Sequence, residues 1–444
     1  MKHKDFLRIG CGAGFSGDRM DPAIVLAEKG DLDYLVLECL AERTIALAQK
    51  RRILDETKGY DPLLERRITS LLPHLVKNKT RLITNMGAAN PVEAARKIAA
   101  IARALNIAIK VAAITGDDVL EIVLLNAASM NDLENNLPLS TYNIVSANAY
   151  IGADMIVEAL RQNADVIVTG RVADPSLFLA PMIYEFGWDK NDFDLLGKGT
   201  VTGHLLECAG QVTGGYFADG VKKKVEGLDQ LGHPYADMYA NGAAVISKVE
   251  GTGGVVNLMT VKEQLLYEVM NPQEYVTPDV IADFTTVCLQ EIAENKVQIS
   301  GGGGKVMPAC YKASVGYKAF YTGEGEISYA GAGAYERAQI AAGIIQKRLS
   351  PAFKELRTDF IGVQSLHNTT FSHPSSAYEV RLRVAAKASS AEEAALVGEE
   401  VEALYTNGPA GGGGARKYIN EVIGIVSVLI GRETIVPMVK IFES

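Results

Sequence analysis

The sequence predicts an α/β protein: a mostly parallel, Rossmann-like three-layer sheet domain over residues 1–304, then a smaller α+β, ferredoxin-like domain over 305–444. Apolar runs with strand character alternate with helical segments through the first part, which is the pattern of βαβ units. Near Ser300 the composition changes to Gly301–Gly304 and then to Tyr-rich, closely spaced strands. The first apolar run empties into a glycine-rich loop, the arrangement by which α/β sheets hold ligands at strand ends.

Taken in order, Phe6–Cys11 reads as a buried strand and Gly10, Gly12, Gly14 and Gly17 as a loop whose N–H groups can face a ligand. Asp18 and Arg19 follow, and Asp21 with Pro22 reads as a helix cap with proline at the first helical position. Gly12, Gly14 and Gly17 satisfy G-x-G-x-x-G, with Glu38 placed 21 residues after Gly17, where a ribose-binding acid would sit. In a dinucleotide fingerprint the helix starts inside the glycines, whereas here its cap lies four residues beyond Gly17. We therefore read a loop for another small ligand, with NAD(P) binding as an alternative.

Further strands are expected at Tyr34–Glu38, Arg81–Met86, Lys110–Thr115, Tyr142–Ser146 and Val166–Thr169. Glu42 and Arg43 fit the first turn of a solvated helix. Asn90 and Pro91 open a helix in which Val92, Ala95, Ala99 and Ala102 recur at helical spacing. The same Asx-Pro start at Asp61–Pro62 and Asp174–Pro175 makes Asp174 a cap rather than a catalyst. In the tail we expect helices at Ala334–Leu349 and Ala391–Tyr405 and a strand at Tyr378–Val384; Gly408–Gly414 is either a mobile connection or an anion cradle beside Arg416.

Polar residues close each early strand. Ser16 and Arg19 follow the first; Glu38, Asn85, Gly116–Asp117 and Gly170–Arg171 end others, and all should meet in one cleft. In Gly203–Gly215 a helix would put His204, Glu207 and Cys208 on one face, a set suited to proton transfer or, with a fourth ligand, to a metal. The resulting site has Arg19 and Arg171 as anion anchors, Glu38 and Asp117 as acids, Asn85 as an orienting amide, and His204 with Glu207 for acid–base work. No metal set or cofactor is assigned.

Composition narrows the function. Hydrophobic residues form 48% and charged residues 22%, as in a fully folding chain, and the net charge of −9 without a basic cluster argues against nucleic acid. Five cysteines without C-x-x-C spacing fit reduced thiols, no apolar run reaches membrane-span length, and Met1–Lys4 lead directly into the first strand. A cytoplasmic homo-oligomer acting on a small carboxylate or acyl compound is expected.

The runs RIGCGAGFSGDRMDPA, LECLAERTIALAQ at Leu37–Gln49, NMGAANP at Asn85–Pro91, TGRVADPSLFLAP at Thr169–Pro181 and GHLLECAGQVTGGYF at Gly203–Phe217 resemble the acyclic terpene utilisation AtuA family. RLRVAAK and NGPAGGGG extend the resemblance into the tail. It implies a branched acyl-CoA or the related carboxylic acid as substrate, since such proteins are encoded beside acyl-CoA enzymes, and it implies no reaction. The residues favour an enzyme that moves a proton beside a carboxylate or thioester, of hydro-lyase or isomerase type; the alternative is an accessory acyl-CoA-binding subunit.

Overall fold

A computed structural model describes residues 5–367 and 377–444; Met1–Lys4 lie outside the described residues. The chain opens with β1 (Leu7–Ala13), α1 (Asp21–Lys29), β2 (Tyr34–Leu37), α2 (Glu42–Leu54), α3 (Leu64–Asn78), β3 (Arg81–Thr84), α4 (Pro91–Ala104) and β4 (Lys110–Thr115). It continues through α5 (Leu120–Asn126), β5 (Ile144–Ala149), α6 (Asp154–Arg161), β6 (Val166–Thr169), α7 (Ser176–Phe186) and α8 (Phe193–Glu207). Shorter elements follow: β7 (Pro234–Met238), β8 (Ala244–Lys248), α9 (Leu258–Leu266), β9 (Tyr275–Val276), β10 (Ile281–Asp283), β11 (Cys288–Ala293), β12 (Lys296–Ser300) and β13 (Gly303–Lys305). Last come β14 (Cys310–Ala330), α10 (Ala334–Leu349), β15 (Leu356–Ile361), β16 (Glu379–Ala388), α11 (Ala391–Asn407), β17 (Gly413–Gly431) and β18 (Met438–Glu443).

Ten strands form one mixed sheet in the order β11-β12-β8-β7-β1-β2-β3-β6-β4-β18. Its centre is parallel: β1 with β2, β2 with β3, β3 with β6 and β6 with β4. The flanks are antiparallel, from β7 on β1 outward to β11 and from β18 on β4. The expected mostly parallel sheet is thus corrected to a parallel centre with antiparallel wings. The physical reason is a tight hairpin: Tyr239 N donates to Ala243 O across Asn241-Gly242, with Gly242 at φ +87°. A second correction concerns β5, expected in this sheet, which instead pairs with β14.

Helices bury one face each against the parallel centre. In α4, Ala94, Ala95, Ile98, Ala99 and Ala102 pack with Leu35, Leu82 and Val111 from three strands, each large apolar side chain contributing about 1.5–3 kcal/mol. Asn90 caps α4 as expected, its Oδ1 accepting from Glu93 N at 3.4 Å. Asp21 and Asp174 do not cap: Asp21 is the first residue of α1, and α7 starts after Pro175 with no capping side chain.

The chain divides into two compact units, Met1–Gly316 with Ile425–Ser444, and Tyr317–Gly424. The division therefore falls within β14 and β17 rather than at 304/305, and the last twenty residues return to the first unit because β18 completes the edge of its sheet. The second unit runs β-α-β-β-α-β, with strand order β15-β16-β14-β17. Val380, Leu382 and Val384 of β16 face Ala338, Ala341 and Ile345 of α10 and Val397 and Val401 of α11. Alternate residues carry charge pairs, Arg383 with Glu324 and Asp359, and Arg381 with Glu326. The loop at Gly408–Gly414 turns at Gly411, φ +74°, and Arg337 Nη1 donates to Ala410 O at 2.9 Å.

Candidate functional site

A cavity of about 1070 Å³ opens in the first unit at the carboxyl ends of the parallel strands. The turn after β1 brings Gly14, Ser16 and Asp18 to it, the turn after β2 brings Glu38 to Glu42, and the turn after β6 brings Ala173 to Pro175. The end of α8 adds Glu207 and Cys208, and Tyr275, Tyr311 and Lys312 close other sides. Gly14 is required by a close approach, since a Cβ there would lie 2.4 Å from the Cys208 carbonyl carbon.

Glu38 is buried and fixed through one oxygen. Its Oε1 accepts from Leu40 N at 2.8 Å and from Asn85 Nδ2 at 2.7 Å, while Asn85 Oδ1 accepts from Cys39 N at 2.7 Å. Burial, then the Asp174 charge, push this carboxyl well above the usual range, against the pull of Arg171. With Oε1 committed as an acceptor of two N–H groups, Oε2 is the oxygen on which the neutral acid would carry its proton.

Glu207 is built from the other side. His204 Nε2 lies 3.0 Å from the Gln264 carbonyl, which only accepts, so Nε2 carries a hydrogen. His204 Nδ1 lies 2.8 Å from Glu207 Oε1, and that bond needs one further proton, shared by the pair as imidazolium–carboxylate or imidazole–carboxylic acid. In either form Glu207 Oε2 is an acceptor; it is buried and has no partner. Burial raises the Glu207 carboxyl against the opposing pull of His204. The imidazole itself is buried against Tyr275 and Phe284, at ring distances of 5.2 and 5.4 Å, and acts on the cavity only through Glu207.

Of the residues singled out in the sequence, Gly14, Ser16, Glu38 and Glu207 line the cavity, and Asn85 and His204 stand directly behind the two glutamates. Arg171 is 1% exposed and is directed to groups of the chain itself: Nε and Nη2 donate to Val172 O, Nη1 donates to Leu40 O at 2.6 Å, and Nη2 also pairs with Asp174. Arg19 likewise is directed to Leu228 O and Asp229 O, both at 3.0 Å. Asp117 lies below the site, its Oδ2 accepting from Arg171 N at 2.8 Å and Asn148 Nδ2 at 2.9 Å. Gly170 makes room for that carboxylate and Gly116, at φ +107°, for Pro437.

The geometry of the glycine loop bears on the dinucleotide alternative. Gly12 lies within β1, where a Cβ would strike Leu37 and Ala23, and a Cβ on Gly17 would meet the Phe15 ring. Asp18 Oδ2 accepts from Gly14 N at 2.6 Å and from Phe15 N at 3.3 Å, so the loop's own carboxylate occupies the N–H groups a pyrophosphate would need.

Residues 7–441 match the family model described as acyclic terpene utilisation family protein AtuA. The chain belongs to that family. No curated protein and no solved structure gives a match. Among the described residues of this AtuA-family chain, no helix is long and apolar enough to cross a membrane, and no group of three His, Cys, Asp or Glu is placed to hold a metal ion.

Three further residues of the AtuA-family cavity escaped sequence reasoning as site residues. Asp174 lines the cavity with its carboxyl pushed up to about 7 by burial, against the pull of Arg171. His233 also lines it: Nδ1 donates to Gly12 O at 3.2 Å, which leaves Nε2 as an acceptor, and burial lowers the imidazole below its ordinary value. Tyr150 donates to Glu42, and Arg171 and Lys312 lie over its ring, at 4.6 and 5.3 Å from the centroid. An Asp-Pro pair could have signalled Asp174 had it not also been a helix-start motif; His233 and Tyr150 carry no local signature.

Proposed function

We propose that this chain is an enzyme that moves a proton on a small branched acyl substrate, in the manner of a hydro-lyase or isomerase. The observation that supports this reading is a pair of carboxyls with opposite roles in one cavity. Glu38, whose carboxyl burial raises well above its ordinary value, has Oε1 committed to two N–H groups, and Glu207, with Oε1 bound to His204, keeps Oε2 without a partner in the chain. Glu38 is then the general acid, Glu207 the general base, and Asn85 and His204 are positioning residues. His233 Nε2 is a second neutral acceptor on the same cavity. Phe15, Leu40, Tyr216, Leu231, Tyr267 and Leu429 supply apolar wall for a branched hydrocarbon chain, in keeping with a family named for acyclic terpene utilisation.

Deuterium exchange tests the reading. The chain incubated in heavy water with the N-acetylcysteamine thioester of a branched acid is expected to label the carbon beside the carbonyl. Glu207→Gln should lower the rate by about two orders of magnitude, the usual contribution of a positioned base. The amide can still donate to His204 Nδ1, so the fold should persist. Glu38→Gln reproduces the protonated acid in shape and should keep binding while slowing turnover. Undiminished exchange in Glu207→Gln, or none in the unaltered chain, sinks the assignment.

A further inference from the structure

We infer that the cavity selects its substrate by the length of the acyl tail, favouring a branched chain longer than isovaleryl, and that Phe15 and Tyr216 at its outer end are the residues that read this length. The inference deepens the proton-transfer reading by naming the class of tail, and rests on it only for directing the polar end of the substrate inward.

The lining of the cavity changes character from the inside outward. Glu38, Glu207 and His233 are buried, whereas Leu429 is 53% exposed, Phe15 59%, Val276 61% and Tyr216 83%. Polar groups thus stand at the buried end and large apolar side chains at the open one, in contact with water until an apolar surface covers them. At about 1070 Å³ the space lies at the upper limit of the ~300–1,000 Å³ usual for small-molecule pockets, and it is far more than an isovaleryl group fills.

Two of these outer residues are placed in ways that folding alone does not favour. Tyr216 has φ +60°, in the left-handed region that glycine enters freely and an aromatic residue enters only under strain. Its ring gains little burial in return: it meets Tyr267, another lining residue, edge to face at 6.2 Å and otherwise stands in solvent. For stability a glycine would serve better at this position. Gly17 shows the complementary device. It is not at positive φ, and what it provides is room, since a Cβ there would lie 2.4 Å from the Phe15 ring. The ring therefore rests on the backbone at Gly17, which limits the directions it can take over the cavity. Exposed aromatic side chains held in this manner contribute to binding what they do not contribute to folding. They cover an apolar tail that leads outward from the acid end, and a chain too short to reach them gains nothing from them.

Calorimetric titration of the full chain with the N-acetylcysteamine thioesters of isovaleric, 5-methylhexanoic and 7-methyloctanoic acids tests the inference, since head and branch stay the same throughout. Each added pair of CH₂ groups should tighten binding by about tenfold in the unaltered chain. Phe15→Ala and Tyr216→Gly should each weaken binding of the longest compound by about tenfold or more and that of the shortest by less than about twofold. Tyr216→Gly should do so without lowering the melting temperature, because the strained backbone is relieved. Affinity that does not rise with chain length, a rise that both variants retain, or failure of all three compounds to bind at millimolar concentration overturns the inference. A lowered melting temperature in Tyr216→Gly with equal loss at every chain length also overturns it, by making the ring structural. Exchange in heavy water separates the two readings. Length-dependent binding without exchange leaves the tail inference standing and removes the proton-transfer assignment, and exchange with affinities independent of length does the reverse.

Discussion

Asp117 shows what burial does to a strand-end carboxyl in this protein. It is 3% exposed, its Oδ2 is tied to Arg171 N and Asn148 Nδ2, and burial together with the Asp118 charge raises it from 3.8 to about 6. Between those pH values the folded chain holds a proton that the unfolded chain has released, so this group makes stability fall as pH rises through that window. At 1.36 kcal/mol per unit the cost of the ionised form is about 3 kcal/mol above pH 6. Asp117→Asn should therefore gain stability relative to the unaltered chain by about this amount between pH 4 and 6 and stay level above, as read by urea unfolding at each pH. A constant difference across the range would mean that Asp117 is not the titrating group. The sequence placed Asp117 beside Gly170 and Arg171 correctly, because strand ends share an edge. It could not show that the side chain turns down between β4 and β6 instead of toward the cavity, which depends on the turn after β4 and on Gly116 at positive φ. His204 and Glu207 were legible for the opposite reason: their contact is local, three residues apart on one helix.

At the scale of elements, Arg171 fastens the turn after β2 to the turn after β6, since one guanidinium reaches Leu40 O, Val172 O and Asp174. A lysine there keeps the charge and loses the planar fork, leaving carbonyls without donors. Arg171→Lys should lower stability by about 3 kcal/mol, from two or three buried bonds at ~1–1.5 kcal/mol each, and reduce ligand binding only through displacement of Glu38 and Asp174. Chemical denaturation beside calorimetry decides the matter; an unchanged midpoint with lost affinity would restore Arg171 as a ligand anchor. The βα units of the parallel centre were readable because each signal is contiguous: an apolar run, then a cap such as Asn90-Pro91, then helical spacing. Asp174 was misread because Asp-Pro opens helices and turns alike, and only its distance from Arg171 distinguishes the cases. The β7–β8 hairpin carried a readable Asn241-Gly242 turn, and neglecting it made the sheet appear more parallel than it is.

At the scale of the whole molecule, the feature farthest from view in the sequence is the return of the C-terminus. Pairing of β18 with β4 joins Met438 to Thr115 and Glu443 to Lys110, a contact between the two segments of the first unit with the whole second unit intervening in sequence. Nothing local in Met438–Glu443 distinguishes this partner from another sheet edge, so register and location both arise from tertiary packing. The strand is nonetheless firmly tied: Ile109 N donates to Ser444 Oγ at 2.8 Å, Arg103 Nη1 donates to Glu443 O at 3.1 Å, and Arg96 lies 5.9 Å from the Phe442 ring. Deleting residues 436–444 removes this cover and converts β4, whose Val111, Ala112, Ala113 and Ile114 are fully buried, into an open edge strand. Amides of β4 should then exchange with solvent faster by roughly two orders of magnitude or more, a loss of ~3 kcal/mol of protection, and the shortened chain should self-associate. The amides of Val380, Leu382 and Val384 should keep their protection, because their core with α10 and α11 lies wholly within the second unit. Hydrogen exchange read by mass spectrometry resolves the two regions in one experiment. Equal loss of protection in both would show that the units unfold as one and that β18 supports more than the edge it covers.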